Sequence, residues 1–180
     1  MIFWGNVMNH QICFCALLVT SVVLNQANGF TAEDWSHFRG SDSTAVATTE
    51  DLPLEWDVDK GTNVAWQKEI PGRGPSGPIV VDGKVFVSCS SGKKQDHLHV
   101  LCFDSDSGNA LWQRQFWATG RTMSHPSSAN AAPTPASDGQ YVYAFYSSND
   151  LICLDLDGNL LWYRGLGYDY PKAGNDVGMA

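Results

Sequence analysis

Two short acidic strings hold the side chains with the most chemical promise in this sequence. Asp104-Ser-Asp106-Ser-Gly108 and Asp155-Leu-Asp157-Gly158 each set two carboxylates two positions apart ahead of a glycine. A calcium loop begins this way, but it also needs later oxygen ligands, including a bidentate acid. Here the continuations are Asn109-Ala-Leu-Trp112 and Asn159-Leu-Leu-Trp162, which offer no such acid. Aspartate also opens tight turns, because its carboxylate accepts hydrogen bonds from backbone N–H groups a few residues on. Turn formation is the reading these residues support.

Other candidates are weaker. His97 and His99 lie two apart on an expected strand, so they share a face, yet no third metal ligand is identifiable. Surface or partner-bonded histidines describe them as well. CxxC and CxxH spacings are absent, which leaves zinc without support. Gly72-Arg-Gly-Pro-Ser-Gly77 is glycine-rich but leads into a strand, whereas a phosphate cradle needs the helix N-terminus that follows it. G-x-S-x-G and H-E-x-x-H do not occur. Arg121 and His125 sit in a long polar insert, and loops carried on a rigid scaffold commonly form binding faces. They stand as the loop-site candidates beside the plainer reading of a solvated loop. No catalytic, cofactor-binding or metal-ligating residue is assigned.

The chain that positions these groups has 180 residues, 43% of them hydrophobic, with a formal net charge of −8. Such a composition suits a globular domain. An acidic surface repels phosphate backbones, and no basic cluster exceeds Lys93-Lys94, so nucleic-acid binding is not expected. Residues 1–29 carry no charged side chain, and Ile12 to Leu24 is apolar but for Thr20 and Ser21. That run is shorter than the ~20 residues a membrane-crossing helix needs. It matches the apolar core of a signal peptide, with Ala27-Asn28-Gly29 as a cleavage site. Residues 1–29 are therefore expected to be a signal peptide, although the n-region lacks Lys and Arg; an uncleaved membrane anchor is the alternative. Cys13 and Cys15 come too early in the run for lipid attachment. Cys89, Cys102 and Cys153 would remain, an odd number, and they read as buried small hydrophobes.

Residues 30–62 are polar and turn-rich with scattered aromatics, and they read as an extended leading segment on a domain surface. Asn63-Val-Ala-Trp66 is the first clear element. Short strands are expected at Ile79–Val81, Val85–Cys89 and Leu98–Phe103, with another opening at Ala110-Leu-Trp112; Asp82-Gly83 is a strong two-residue hairpin signal. The same order recurs: Asp138-Gly139 matches Asp82-Gly83, Cys153 matches Cys102, and Trp162 matches Trp112. The tryptophans Trp66, Trp112 and Trp162 stand 46 and 50 residues apart. Tyr141–Tyr146 and Leu151–Leu154 are apolar on both faces and need cover on both sides. No stretch shows helical periodicity, so stacked sheets must supply that cover. Radially stacked four-stranded sheets with repeats of ~40–50 residues define a β-propeller.

Asp104-Ser-Asp-Ser-Gly108-Asn-Ala-Leu-Trp112 and Asp155-Leu-Asp-Gly158-Asn-Leu-Leu-Trp162 resemble the tryptophan-docking repeat of the quinoprotein-type, or pyrroloquinoline quinone (PQQ)-like, propellers. Ser76-Gly-Pro-Ile-Val and Pro133-Thr-Pro-Ala resemble that family's inner strand, and Trp35-Ser-His-Phe-Arg-Gly40 resembles the opening of exported bacterial members. The resemblance covers about residues 35–180. It implies an all-β fold of four-stranded antiparallel meanders over residues 63–180, an incomplete ring of about two to three blades. It also implies structural docking roles for Trp66, Trp112 and Trp162 with the turn glycines Gly108 and Gly158.

One repeat serves both redox enzymes and scaffolds. The expected function is an exported, periplasmic or envelope, non-catalytic scaffold or protein-interaction module, similar to the propeller lipoprotein of outer-membrane assembly. Its partners would be proteins or remaining propeller blades, with membrane contact only through an uncleaved anchor. The alternatives are a PQQ-dependent alcohol or sugar dehydrogenase, with PQQ and calcium as cofactors, and a carbohydrate-binding propeller. The dehydrogenase reading lacks the adjacent cysteine pair it calls for. A closed propeller needs at least four blades, so the chain is expected to be an N-terminal fragment that, isolated, aggregates, self-associates or forms an open fan; a monodisperse, cooperatively unfolding monomer would contradict this.

Overall fold

A computed structural model describes residues 34–47 and 53–171. The expected signal segment lies outside them. Eight strands form two four-stranded antiparallel sheets. The first holds β1 (Ile79–Val81), β2 (Lys84–Ser91), β3 (His97–Asp104) and β4 (Ala110–Trp117). The second holds β5 (Ala136–Ser137), β6 (Tyr141–Tyr146), β7 (Asp150–Asp155) and β8 (Leu160–Gly165), followed by the single-turn helix α1 (Leu166–Asp169). Within each sheet the spatial order is the chain order. Each is a meander, the unit of a propeller blade, and the all-β architecture agrees with the expectation.

The turns follow from the residues placed in them. Asp82 and Gly83 have φ of 51° and 66°, the positive pair that a two-residue hairpin needs to match strand twist. Asp104 Oδ1 accepts from the Ser107 N–H at 2.8 Å, and Asp155 Oδ1 accepts from the Asn159 N–H at 2.7 Å. The acidic strings are therefore turn formers. Their carboxyls sit below the usual range because of these bonds: the Ser107 side chain acts first on Asp104, and the Asn159 side chain on Asp155. The two blades also repeat at finer scale. Cys102 pairs with Trp112 and Cys153 with Trp162, and each pairing is followed by a register shift.

The core lies between the sheets. Leu98 and Val100 of the first blade pack with Ala144, Tyr146, Ile152 and Leu154 of the second, all buried. Towards the other end of the strands, Ile79, Val81, Phe86 and Cys102 meet Val142. The opposite face of the first blade (Val85, Cys89, Leu101, Phe103) is covered by Trp66 and Ile70. This two-sided cover explains apolar strands without alternation. In the second blade, β6 alternates between buried Val142, Ala144 and Tyr146 and half-buried Tyr141, Tyr143 and Phe145. Its inner face is sealed and its outer face is partly open.

Two expectations need correction. Asn63–Trp66 belongs to none of the strands, because no neighbouring strand pairs with it among the described residues; Trp66 is held through its side chain instead. The leading segment does more than lie on the surface. Trp35 forms an antiparallel bridge with Val80, and the Ser36 carbonyl accepts from the Ser137 N–H at 2.8 Å. The segment thus stitches the inner strands of both blades, and Ser36 is buried.

Candidate functional site

Up-and-down strands sort the connections to two ends of the blades. The turn end carries the β1–β2, β3–β4, β5–β6 and β7–β8 turns. The loop end carries residues 92–96, the insert over residues 118–135, and residues 147–149.

At the turn end, two indoles bridge successive repeats. Trp66 Nε1–H donates to the Ser105 carbonyl at 2.8 Å, and Trp112 Nε1–H donates to the Leu156 carbonyl at 3.0 Å. Each ring lies on the next turn's glycine. A Cβ built on Gly108 would come within 2.5 Å of Trp66, and one on Gly158 within 2.7 Å of Trp112. Both glycines have positive φ, 66° and 82°, so bare backbone is needed for close approach and for the turn conformation alike. Arg114 Nε adds a 2.6 Å bond to the Gly158 carbonyl. Trp162 lies against Tyr143 and remains 38% exposed.

At the loop end the fastening is polar. Asp150 is fully buried, and its carboxylate accepts from the Thr119 N–H, the Thr119 hydroxyl and the Ser148 hydroxyl. The Tyr163 hydroxyl lies 2.7 Å from Asp150 Oδ1. Burial and then the adjacent carboxylate hold this phenol far above its ordinary range. Thr119 follows the first blade's last strand, so the knot joins the two blades. The sequence signal for Asp150 is slight, an acidic residue directly before the apolar run Leu151–Leu154.

Asn130 forms a second knot. Its side chain donates to the Gln95 carbonyl and to Ser148 Oγ, both at 3.2 Å, and it accepts from the Ser148 N–H at 2.8 Å. Gln95 has φ of 55°, and its Oε1 accepts from Ser90 Oγ and from the Asn130 N–H. The Asp96 carbonyl accepts from the Ala118 N–H at 2.9 Å. The loop over residues 92–96 and the insert are thereby joined into one surface.

The sequence candidates fall on or near this surface. Arg121 helps to line an open cleft of about 400 Å³ with Lys93, Lys94, Thr122 and Ser124. His125 is not among the lining residues; its Nδ1 pairs with Ser127 Oγ at 2.7 Å. His97 meets the Trp117 ring edge-on at a centroid distance of 4.3 Å. His99 is buried, with Nε2 2.7 Å from Ser91 Oγ and Nδ1 3.4 Å from the Gln113 amide nitrogen. Burial, and then the charge of His97, lower its pKa. Cys89, Cys102 and Cys153 are buried free thiols; burial pushes Cys89 up to about 11 and Cys102 up to about 12, so both are protonated at neutral pH. Among the described residues no group of three or more His, Cys, Asp or Glu could hold a metal ion. The carboxylates of Asp104 and Asp155 bond the backbone of their own turns.

Two four-stranded antiparallel meanders set the class, two blades of a partial β-propeller. The family model described as outer membrane protein assembly factor BamB matches residues 19–177, and the chain belongs to that family. A solved structure of BamB from Moraxella catarrhalis is 22% identical, with a TM-score of 0.39, over 56% of this chain and 26% of that one. A europium-containing methanol dehydrogenase is 18% identical, with a TM-score of 0.34, over 48% of this chain and 14% of that one. This chain thus spans about a quarter of the BamB structure's length. No curated protein matches it.

Proposed function

We propose that this chain is a non-catalytic interaction module of the cell envelope, exported through its apolar N-terminal stretch, whose loop end receives a protein partner. The joining of loop 92–96 to the insert through Gln95 and Asn130 carries this reading. It presents residues from both blades as one fixed surface, and preordered loops lose less entropy on binding. The family's description as an assembly factor supports work done through protein contacts. On this reading Trp66, Trp112 and Trp162, with Gly108 and Gly158, are structural. Trp162 takes a further repeat's turn as Trp112 takes Gly158.

A photo-crosslinking residue at Met123, in cells that make the protein, tests the proposal. The protein is expected in the envelope fraction, with one discrete cross-linked protein from Met123 and none from the same probe at Asp106 on the turn end. Retention in the cytoplasm, or equal labelling from both ends, overturns it.

A further inference from the structure

Among the described tryptophans Trp56 is the most exposed, at 72%, and Leu54 beside it is 98% exposed. A single exposed apolar side chain needs no explanation, but this pair stands on a backbone that is locally fixed. Asp57 and Thr62 exchange both main-chain hydrogen bonds, at 3.0 and 2.9 Å, and so close a hairpin. Asp57 Oδ1 accepts from the Lys60 N–H at 3.0 Å, and the Asn63 amide donates to the Glu55 carbonyl at 2.8 Å. Lys60 Nζ lies 2.9 Å from Asp57 Oδ2. Trp66 and Trp112 each donate to a carbonyl and rest on a glycine, whereas none of the bonds that hold this hairpin uses the Trp56 indole. Leu54, Glu55, Trp56, Asp57, Lys60 and Thr62 together line an open cleft of about 470 Å³, within the ~300–1,000 Å³ of small-ligand sites.

We infer that this cleft binds a neutral oligosaccharide, with the Trp56 indole stacked on a pyranose ring. The site lies outside the loop end and shares no residue with it. A pyranose has an apolar C–H face and a rim of hydroxyl groups, each able to donate and to accept. The cleft holds the matching set: an indole, two carboxylates that only accept, an ammonium that only donates and a hydroxyl that does both. The core of a protein interface is depleted of charge, yet three of these six lining residues are charged. Glu55 and Asp57 against Lys60 leave one net negative charge in the cleft, and Asp59 of the same hairpin adds to it. A uronate or sulfated glycan would therefore be repelled. Because the hairpin is closed before any ligand arrives, little ordering is left to oppose binding.

Isothermal titration calorimetry of the full chain with cellohexaose, xylohexaose and mannohexaose tests the inference, with hexagalacturonate as the charged counterpart. At least one neutral hexasaccharide is expected to bind, with little dependence on salt, and hexagalacturonate is not. Trp56→Ala is expected to weaken binding by about tenfold or more, and Trp56→Phe by less because a ring remains. Trp117→Ala, at the next most exposed indole, leaves binding unchanged. Trp56 is exposed, so both of its variants keep the parent's melting temperature, which separates loss of the platform from loss of the fold. Absence of binding by all three neutral sugars overturns the inference, as does undiminished binding by Trp56→Ala or equal binding of hexagalacturonate. So does self-association of the chain that Trp56→Ala abolishes, which would make the hairpin a protein contact. Cross-linking from Met123 does not involve this hairpin, so this inference and the proposed function fall separately.

Discussion

Gly158 and Trp112 form one contact made of two residue choices. A methyl group at Gly158 must enter space held by the indole, 2.7 Å away, and must accept a φ of 82°. The backbone part costs about 1–2 kcal/mol, and the forced repacking about 1–3 kcal/mol more. Gly158→Ala is therefore expected to lower unfolding free energy by roughly 2–4 kcal/mol. Trp112→Ala leaves a cavity and frees the Leu156 carbonyl, a loss of about 3–5 kcal/mol. The two changes should not add. With the indole gone, only the backbone part of the glycine substitution remains, about 1–2 kcal/mol. Urea unfolding of both single variants and the double measures this coupling, and strict additivity would show that ring and glycine do not touch.

At the scale of elements, the turns and strands were largely legible. Asp82-Gly83, the paired acidic strings and the apolar runs state their structure through local chemistry, because each hydrogen bond they need lies within a few residues. Tyr141–Tyr146 was placed to the residue. Asn63–Trp66 was not, since its sequence copies a strand end while its neighbours provide no pairing. Asp150 was missed for a related reason: its donors Thr119 and Tyr163 come from β4's exit and from β8, and nothing in the local sequence announces them. The cleft was half legible. Arg121 was singled out in the insert, but Lys93 and Lys94 join it only once the blades pack. Asp150→Asn tests the knot. An amide cannot accept at both oxygens and points a donor at the donors of Thr119 and Ser148, so a loss of about 1–3 kcal/mol is expected. Differential hydrogen exchange should report it at residues 117–120 and 147–150 first. Unchanged protection there would mean that the carboxylate is not the fastening.

The whole molecule should lose stability in two steps as pH falls. His99 has a lowered folded pKa, so the unfolded chain takes up its proton first, near the ordinary value of 6.5. Stability gained from the neutral ring is full above that value and declines as pH falls through the folded pKa. Asp104 and Asp155 also have lowered folded values, below the ordinary 3.8. Their contribution is present above 3.8 and disappears as pH falls through the folded pKa. Melting temperature followed across this range should show both declines. His99→Gln is expected to flatten the upper one alone, and Asp155→Asn to diminish the lower one alone. A single decline unaffected by either change would contradict this assignment.

The indole contacts also set a schedule for folding. Trp66 bonds a carbonyl 39 residues downstream, and Trp112 one 44 residues downstream. Ribosomes add about 5–20 residues per second, so each ring waits on the order of 2–9 s before its seat has been synthesised. Blades can therefore close only in sequence, each one leaving its own tryptophan uncovered until the next repeat arrives. Trp112 in particular stays uncovered until the chain has grown past Leu156, whose carbonyl it bonds.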